Sequence, residues 1–150
     1  MRNKRKQVAE LISLGNMSGM DLRDCELPTI LKGVNFEGAN LSGLCLCERD
    51  LSETNLKDAI LDNVNLRQAS LQGADLSNTK IVNSYAVGAD FTGATMVGVD
   101  LTASNMQDAI FDGADLSNAD VDETDITGAS FIESNIKGVN FDTALLKEEA

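Results

Sequence analysis

The chain contains no histidine and no tryptophan, and only one proline and one tyrosine among its 150 residues. Without histidine it lacks the side chain that most often serves as general base near neutral pH and as ligand to transition metals. Other catalytic ingredients are equally thin. No glycine-rich stretch runs into a phosphate motif, and no Lys, Cys or Ser stands beside an evident base. The carboxylates are spread along the chain, and nothing in the sequence around them would raise a pKa. The chain therefore reads as a non-enzyme that needs no cofactor. Three cysteines, Cys25, Cys45 and Cys47, are too few and wrong in parity for a disulfide framework. Cys45 and Cys47 form a C-x-C pair with no second pair and no histidine, a poor metal site, and read as outward thiols flanking Leu46. No apolar run reaches the roughly 18 residues that a membrane-spanning helix needs. The basic start, Met1-Arg2-Asn3-Lys4-Arg5-Lys6, is followed by no signal-peptide core. The expected location is the cytoplasm. With 24 acids against 12 bases the net charge is −12, which argues against direct nucleic-acid binding.

What the chain does have is a period. From Leu31 to Phe141 every fifth residue is apolar: Leu31, Phe36, Leu41, Leu46, Leu51 and so on through Phe91, Phe111 and Phe131. Two places before each centre sits a second slot, almost always small, as in Ala39, Ala59, Ala74, Ala89 and Ala109; Leu44 and Arg49 are its large members. Five matches neither the 3.6-residue helix nor the two-residue strand. A three-residue stub of strand explains it. The small and large residues face inward, and the one between, usually Asn, Asp or Ser, faces water. The two residues that follow must turn the chain, and they are rich in Ser, Gly, Asn and Asp. Repeated turning of one sense closes a coil, and stacked coils pair backbone with backbone. No coil buries its interior alone, so the array is needed for stability.

Segments such as Ala74-Asp75-Leu76-Ser77-Asn78, Ala89-Asp90-Phe91-Thr92-Gly93 and Ala114-Asp115-Leu116-Ser117-Asn118 resemble the signature A(D/N)LXX of the pentapeptide-repeat proteins. The resemblance covers nearly everything after the first helix. It implies an all-β fold, a right-handed, four-sided parallel β-helix with four pentapeptides per coil. Stacking every 20 residues would put Leu31, Leu51, Leu71, Phe91, Phe111 and Phe131 in one interior ladder. About six coils would make a rod roughly 30 Å long.

Residues 1–14 are expected to form a capping helix, 15–146 the coil array, and 147–150 a tail. Val8, Leu11 and Ile12 share one helix face and Gly15 is a C-terminal stop. Such a helix suits the role of plug over an open coil end. The alternative is a basic helix that binds a membrane or nucleic acid. A phase break is expected near 28–30, since Leu27 to Leu31 is a four-residue step that contains Pro28; it reads as a local kink or as a recognition bend. Arg49 falls in an inward slot, its stem packed and its head escaping at a distorted corner, with Glu48, Asp50 and Glu53 as possible partners.

Two outward surfaces depart from the pattern. Tyr85 takes a slot normally held by Asn or Asp, and Val82, Val87 and Val97 fill outward turn slots; these four form a candidate partner surface. No Lys or Arg lies between Lys80 and Lys137, and the twenty-residue rule gathers Asp100, Asp120, Asp122, Glu123 and Asp142 on one side as a candidate acidic face. Asp125 falls round the next corner. The acids either keep the rod soluble or attract a basic partner. After Phe141 the pattern weakens, and the end either folds over itself or pairs with another copy.

The resemblance implies a non-catalytic protein-interaction module, similar to single-domain members abundant in cyanobacteria, some of which regulate development by protein contact. The alternative it raises is a mimic of B-form DNA that inhibits or protects a type II topoisomerase such as gyrase. Against that stand the single phase break near the N-terminus, the lack of a C-terminal helical dimer module, and the gathering of acids in the C-terminal part.

Overall fold

The computed structural model describes residues 2–147, with side chains from residue 7 onward. One helix, α1 (Arg2–Ser13), precedes the array. It buries Val8 and packs Leu11 and Ile12 against the core, the three residues that share a face. Its end is a Schellman motif. Gly15 adopts φ +73°, its N–H donates to Ile12 O at 2.9 Å, and Asn16 N–H donates to Leu11 O at 3.3 Å. The basic residues Arg2, Lys4, Arg5 and Lys6, weighed above as a binding helix, lie outside the described side chains, and 148–150 of the expected tail lie outside the described residues altogether.

The remainder is built from isolated parallel bridges in a fixed register. Asn35 bridges Asn55, Asn55 bridges Asp75, Asp75 bridges Thr95 and Thr95 bridges Asp115, each partner twenty residues on. The same step recurs at Asn40, Cys45 and Asp50, so four outward positions ride on each circuit. The hydrogen bonds alternate. Leu66 N–H donates to Tyr85 O at 2.6 Å, and Tyr85 N–H donates back to Val64 O at 3.0 Å. Between stubs, the N–H of each small slot usually bonds the carbonyl of the preceding centre, as from Ala39 to Phe36 O at 2.9 Å. That closes a four-residue turn. Its third residue has positive φ, as a type II turn requires.

Inside, the centres and small slots fill the bore. Phe36, Leu51, Leu71, Phe91, Met96 and Met106 are fully shielded, as are Ala39, Ala59 and Ala74. Each such Leu contributes about 1.5–3 kcal/mol of burial, and the alanine opposite leaves room for it. Phe91, Phe111 and Phe131 stack along one ladder, with ring centroids 5.1 Å and 5.0 Å apart and planes within 7° and 12°. Phe141 closes the series edge-on at 6.0 Å.

The register slips once. Asn16 bridges Asn35 and Asp21 bridges Asn40, a step of nineteen, before Ile30 to Asp50 restores twenty. Among the described residues no bridge forms between these, and the missing residue falls in the stretch that holds Pro28, which has no N–H to offer a ladder. Arg49, whose stem occupies the small slot beside this gap, does not pair with Glu48, Asp50 or Glu53. Its Nη1 reaches Thr29 Oγ1 at 3.5 Å instead, and its Nε is buried without a hydrogen-bond partner. Asp50 is taken by Ser52 and Glu53 by Lys32, at 3.3 Å.

The positive-φ slot makes a local forecast. Ala103 holds φ +56° with no side-chain oxygen to bond its own backbone. Left-handed backbone costs an alanine about 1–2 kcal/mol, of which glycine's looser unfolded chain takes back about half. Ala103→Gly should raise stability by about 0.5–1 kcal/mol in urea unfolding, with an unchanged m-value.

Candidate functional site

One side of the array carries Cys45, Asn65, Tyr85, Asn105, Asp125 and Leu145 as successive outward residues. Tyr85 stands 62% exposed, with its N–H and carbonyl both bonded in the ladder. Beside it runs a groove of about 280 Å³, bordered by Tyr85, Ala103, Asn105, Glu123, Asp125 and Leu145. Val82 and Val87 are half-buried at the corners on either side of Tyr85. Val82 N–H bonds Asp62 Oδ1 at 3.1 Å, and Val87 O accepts from Gln68 N–H at 3.0 Å. Val97 does not join them. It sits ten residues beyond Val87 in a circuit of twenty, so it faces the opposite side, where its carbonyl accepts from Asn78 N–H at 2.9 Å. Reading exposure without azimuth grouped it wrongly with the other three.

The acids keep together. Asp100 and Asp120 bridge one another, and Asp122, Glu123 and Asp142 follow at the adjoining corner. All but Asp100, which is half-buried, are exposed. Asp120 Oδ1 accepts from Asp122 N–H at 3.0 Å, and Asp122 Oδ1 accepts from Thr143 Oγ1 at 2.7 Å. The first bond caps a local turn, and the second ties Asp122 to the next coil. Glu123 also borders the Tyr85 groove, so the acidic corner and the aromatic side meet there.

Two features of this side are not visible in the periodicity. The small slots Ser84, Ser104 and Thr124, all buried, form a polar ladder beneath the groove. Ser104 Oγ accepts from Ser84 N–H at 2.9 Å, Ser84 Oγ donates to Leu61 O at 2.9 Å, and Thr124 Oγ1 donates to Leu101 O at 2.8 Å. The second is Asp125, which is only 7% exposed. Burial works to raise its pKa. Hydrogen bonds from Thr127 and from Gln107 Nε2 at 2.6 Å, with Lys147 Nζ at 3.3 Å, outweigh that and bring it from 3.8 down to about 2. A hydroxyl residue recurring every twenty positions in the slot two places before the centre was the available signal for the first. For the second, the acid in an outward slot looked like its neighbours.

A separate cluster lies at the phase break. Cys45 is exposed and Cys47 half-buried, and their sulfurs are 2.8 Å apart. The Cys47 thiol's hydrogen bond, with further help from a backbone N–H and the Arg49 charge, holds Cys45 below the ordinary cysteine pKa. Burial, and then the neighbouring Cys45, push Cys47 above it. Among the described residues no group of three or more His, Cys, Asp or Glu is placed to hold a metal ion, and no helix is long and apolar enough to cross a membrane.

Parallel stubs stacked at a twenty-residue step, with a small and a large residue inside each, define a solenoid of five-residue units. The family model described as pentapeptide repeats matches in 8 copies, over residues 50–85, 69–108, 87–121 and 109–147, and the chain belongs to that family. It is similar in structure to Rfr23, a pentapeptide repeat protein from the cyanobacterium Cyanothece 51142, with TM-score 0.64 and 20% identity over 98% of this chain and 100% of that one. It is also similar to HetL, a pentapeptide repeat protein involved in heterocyst differentiation regulation in the cyanobacterium Nostoc sp. strain PCC 7120. There the TM-score is 0.61 and the identity 20%, over 87% of this chain and 76% of that one. A trypsin-treated variant of QnrB1, a plasmid-mediated fluoroquinolone resistance protein, gives TM-score 0.56 and 18% identity over 87% of this chain and 77% of that one. At these identities the likeness is one of fold. No curated protein matches the chain in sequence.

Asp125 offers a direct check on the described site. A carboxylate whose folded pKa is depressed adds stability above its unfolded pKa and loses it as the pH falls through the folded value. Stability should therefore drop between about pH 4 and pH 2, by on the order of 1 kcal/mol from this residue after solvent screening. Asp125→Asn should flatten that part of the acid limb in chemical denaturation measured across pH.

Proposed function

We propose that the chain is a non-catalytic interaction module acting in the cytoplasm. We read it as a right-handed, four-sided rod of about six coils that recognises a protein partner through the side carrying Tyr85. The observation that carries this reading is the exposed Tyr85 bordering a groove shared with Glu123 and Asp125. An aromatic ring supplies a large, rigid contact, and the exposed Glu123 carboxylate at the rim suits a partner segment that is both apolar and basic. Val82 and Val87 extend the apolar contact at the corners, while Val97 belongs to another side. The partner is neither nucleic acid nor a membrane. The rod works as a monomer or as an end-to-end homodimer, the latter supported by Ile136 and Leu146, 45% and 71% exposed at the C-terminal end of the array.

One observation favours a second reading. Asp100 and Asp120 lie on one side and Asp122, Glu123 and Asp142 near its adjoining corner, and the fold is shared with a fluoroquinolone resistance protein. On this reading the rod imitates DNA toward a type II topoisomerase such as gyrase. The two readings part on salt. A DNA mimic is held by charge and is released steeply as salt rises. A contact centred on a desolvated aromatic residue persists.

Affinity capture from a lysate of the source organism, eluted in salt steps, separates them. The interaction reading expects a specific protein that survives high salt with the wild-type chain and binds at least about tenfold more weakly to a Tyr85→Ala, Val87→Asp variant. Elution of a DNA-binding enzyme at low salt, unchanged in the variant, would shift the assignment to mimicry.

A further inference from the structure

The geometry points to Cys45 and Cys47 as a vicinal dithiol that a low-molecular-weight disulfide converts reversibly into an intrachain Cys45–Cys47 disulfide. Cys45 is the outward residue of its stub, Leu46 the inward centre, and Cys47 the first residue of the turn. Alternation puts both sulfurs on the outside, and the bend at the corner leaves them 2.8 Å apart. Neither sulfur has a competing engagement of comparable length, since the Cys47 thiol's other contact, to Asn65 O, is 3.9 Å. The pair sits where the register slips. The neighbouring ladder residue Asn65 donates its N–H to Leu44 O at 3.0 Å, whereas among the described residues no carbonyl accepts from Cys45 N–H. The first coil thus leaves this corner unpaired on its N-terminal side.

The two thiols are unequal in a way that assigns their roles. Cys45 is the more exposed, receives the Cys47 hydrogen bond and is favoured as thiolate by the nearby Arg49 guanidinium; Glu48 is the charged group that opposes this, through Cys47. A partly exposed thiolate that accepts a hydrogen bond from a resolving thiol is the arrangement that redox-sensing cysteines share. The Cys45 thiolate attacks one sulfur of the small-molecule disulfide. A Cys45–S bond forms and the incoming S–S bond breaks, releasing one thiolate. Cys47 then loses its proton and attacks Cys45 sulfur, so the Cys45–Cys47 bond forms and the second small thiolate leaves. The protein has been oxidised by two electrons, and the external disulfide has been reduced to two thiols.

The test uses the full-length chain, reduced and then equilibrated with glutathione at graded ratios of oxidised to reduced form. Free thiols are trapped with an alkylating reagent and read by peptide mass spectrometry. The wild type should lose both alkylatable thiols at Cys45 and Cys47 together, carry no glutathione, and regain both with reductant. Cys47→Ser should stop at a stable mixed disulfide on Cys45 and slow alkylation of Cys45 severalfold at neutral pH. Cys25→Ser should behave as wild type. Persistent glutathione adducts on the wild type, a bridge that includes Cys25, or no reaction at Cys45 in a folded chain would each overturn the assignment.

Discussion

The structure depends on a backbone amide meeting a carbonyl one circuit away. Asn65 donates to Leu44 and accepts from Leu46, while Asn105 donates to Ser84 and accepts from Ala86. Each stub is too short to count as a strand by itself, and each bridge is isolated, so within the array no local element exists to fold first. Because the ladder satisfies the inward-lying backbone, the bore need only be filled. A large residue against a small one does that, with Ser84, Ser104 and Thr124 tolerated inside only because their hydroxyls find carbonyls.

The same constraint explains where the molecule departs from its own rule. A nineteen-residue step leaves the corner by Pro28 unpaired, and three uncommon features collect beside it: a large residue in the Leu44 slot, the orphaned Arg49 Nε, and the close Cys45–Cys47 pair. At the opposite end the array exposes Ile136 and Leu146, whereas α1 covers the first coil with Val8, Leu11 and Ile12. Outward positions, by contrast, are not held to one residue type, although Asp50, Asp120 and Asp125 there accept hydrogen bonds from the turns. Tyr85 and Asn105 make equivalent backbone bonds with very different side chains, so the surface can change while the core stays constant.

Most of the architecture was legible in the residues, for a physical reason. A five-residue repeat leaves each side chain one allowed direction, and the inward slots show as an unbroken apolar series. Gly15 holds the positive φ at which α1 ends, and the nineteen-residue step falls in the stretch after Leu22 and before Ile30. What the series does not carry is azimuth and distance. Val97 has the same outward slot as Val87, yet lies half a circuit away. Asp125 reads like any outward acid until Gln107 and Lys147, eighteen residues before and twenty-two after it, converge on its carboxylate. The partner of Arg49 proved to be Thr29 in the adjoining coil, not an acid nearby in sequence. The 2.8 Å between the sulfurs depends on side-chain rotation at a corner, which no spacing encodes.

Hydrogen exchange resolved at single amides tests the twenty-residue ladder most directly. The account predicts strong protection at Asn65, Tyr85 and Asn105, whose N–H groups each donate to the preceding coil, and rapid exchange at Cys45, the equivalent position beside the slip. Uniform protection along all four would contradict the slip. Exchange at Tyr85 and Asn105 as fast as at Cys45 would contradict the ladder itself.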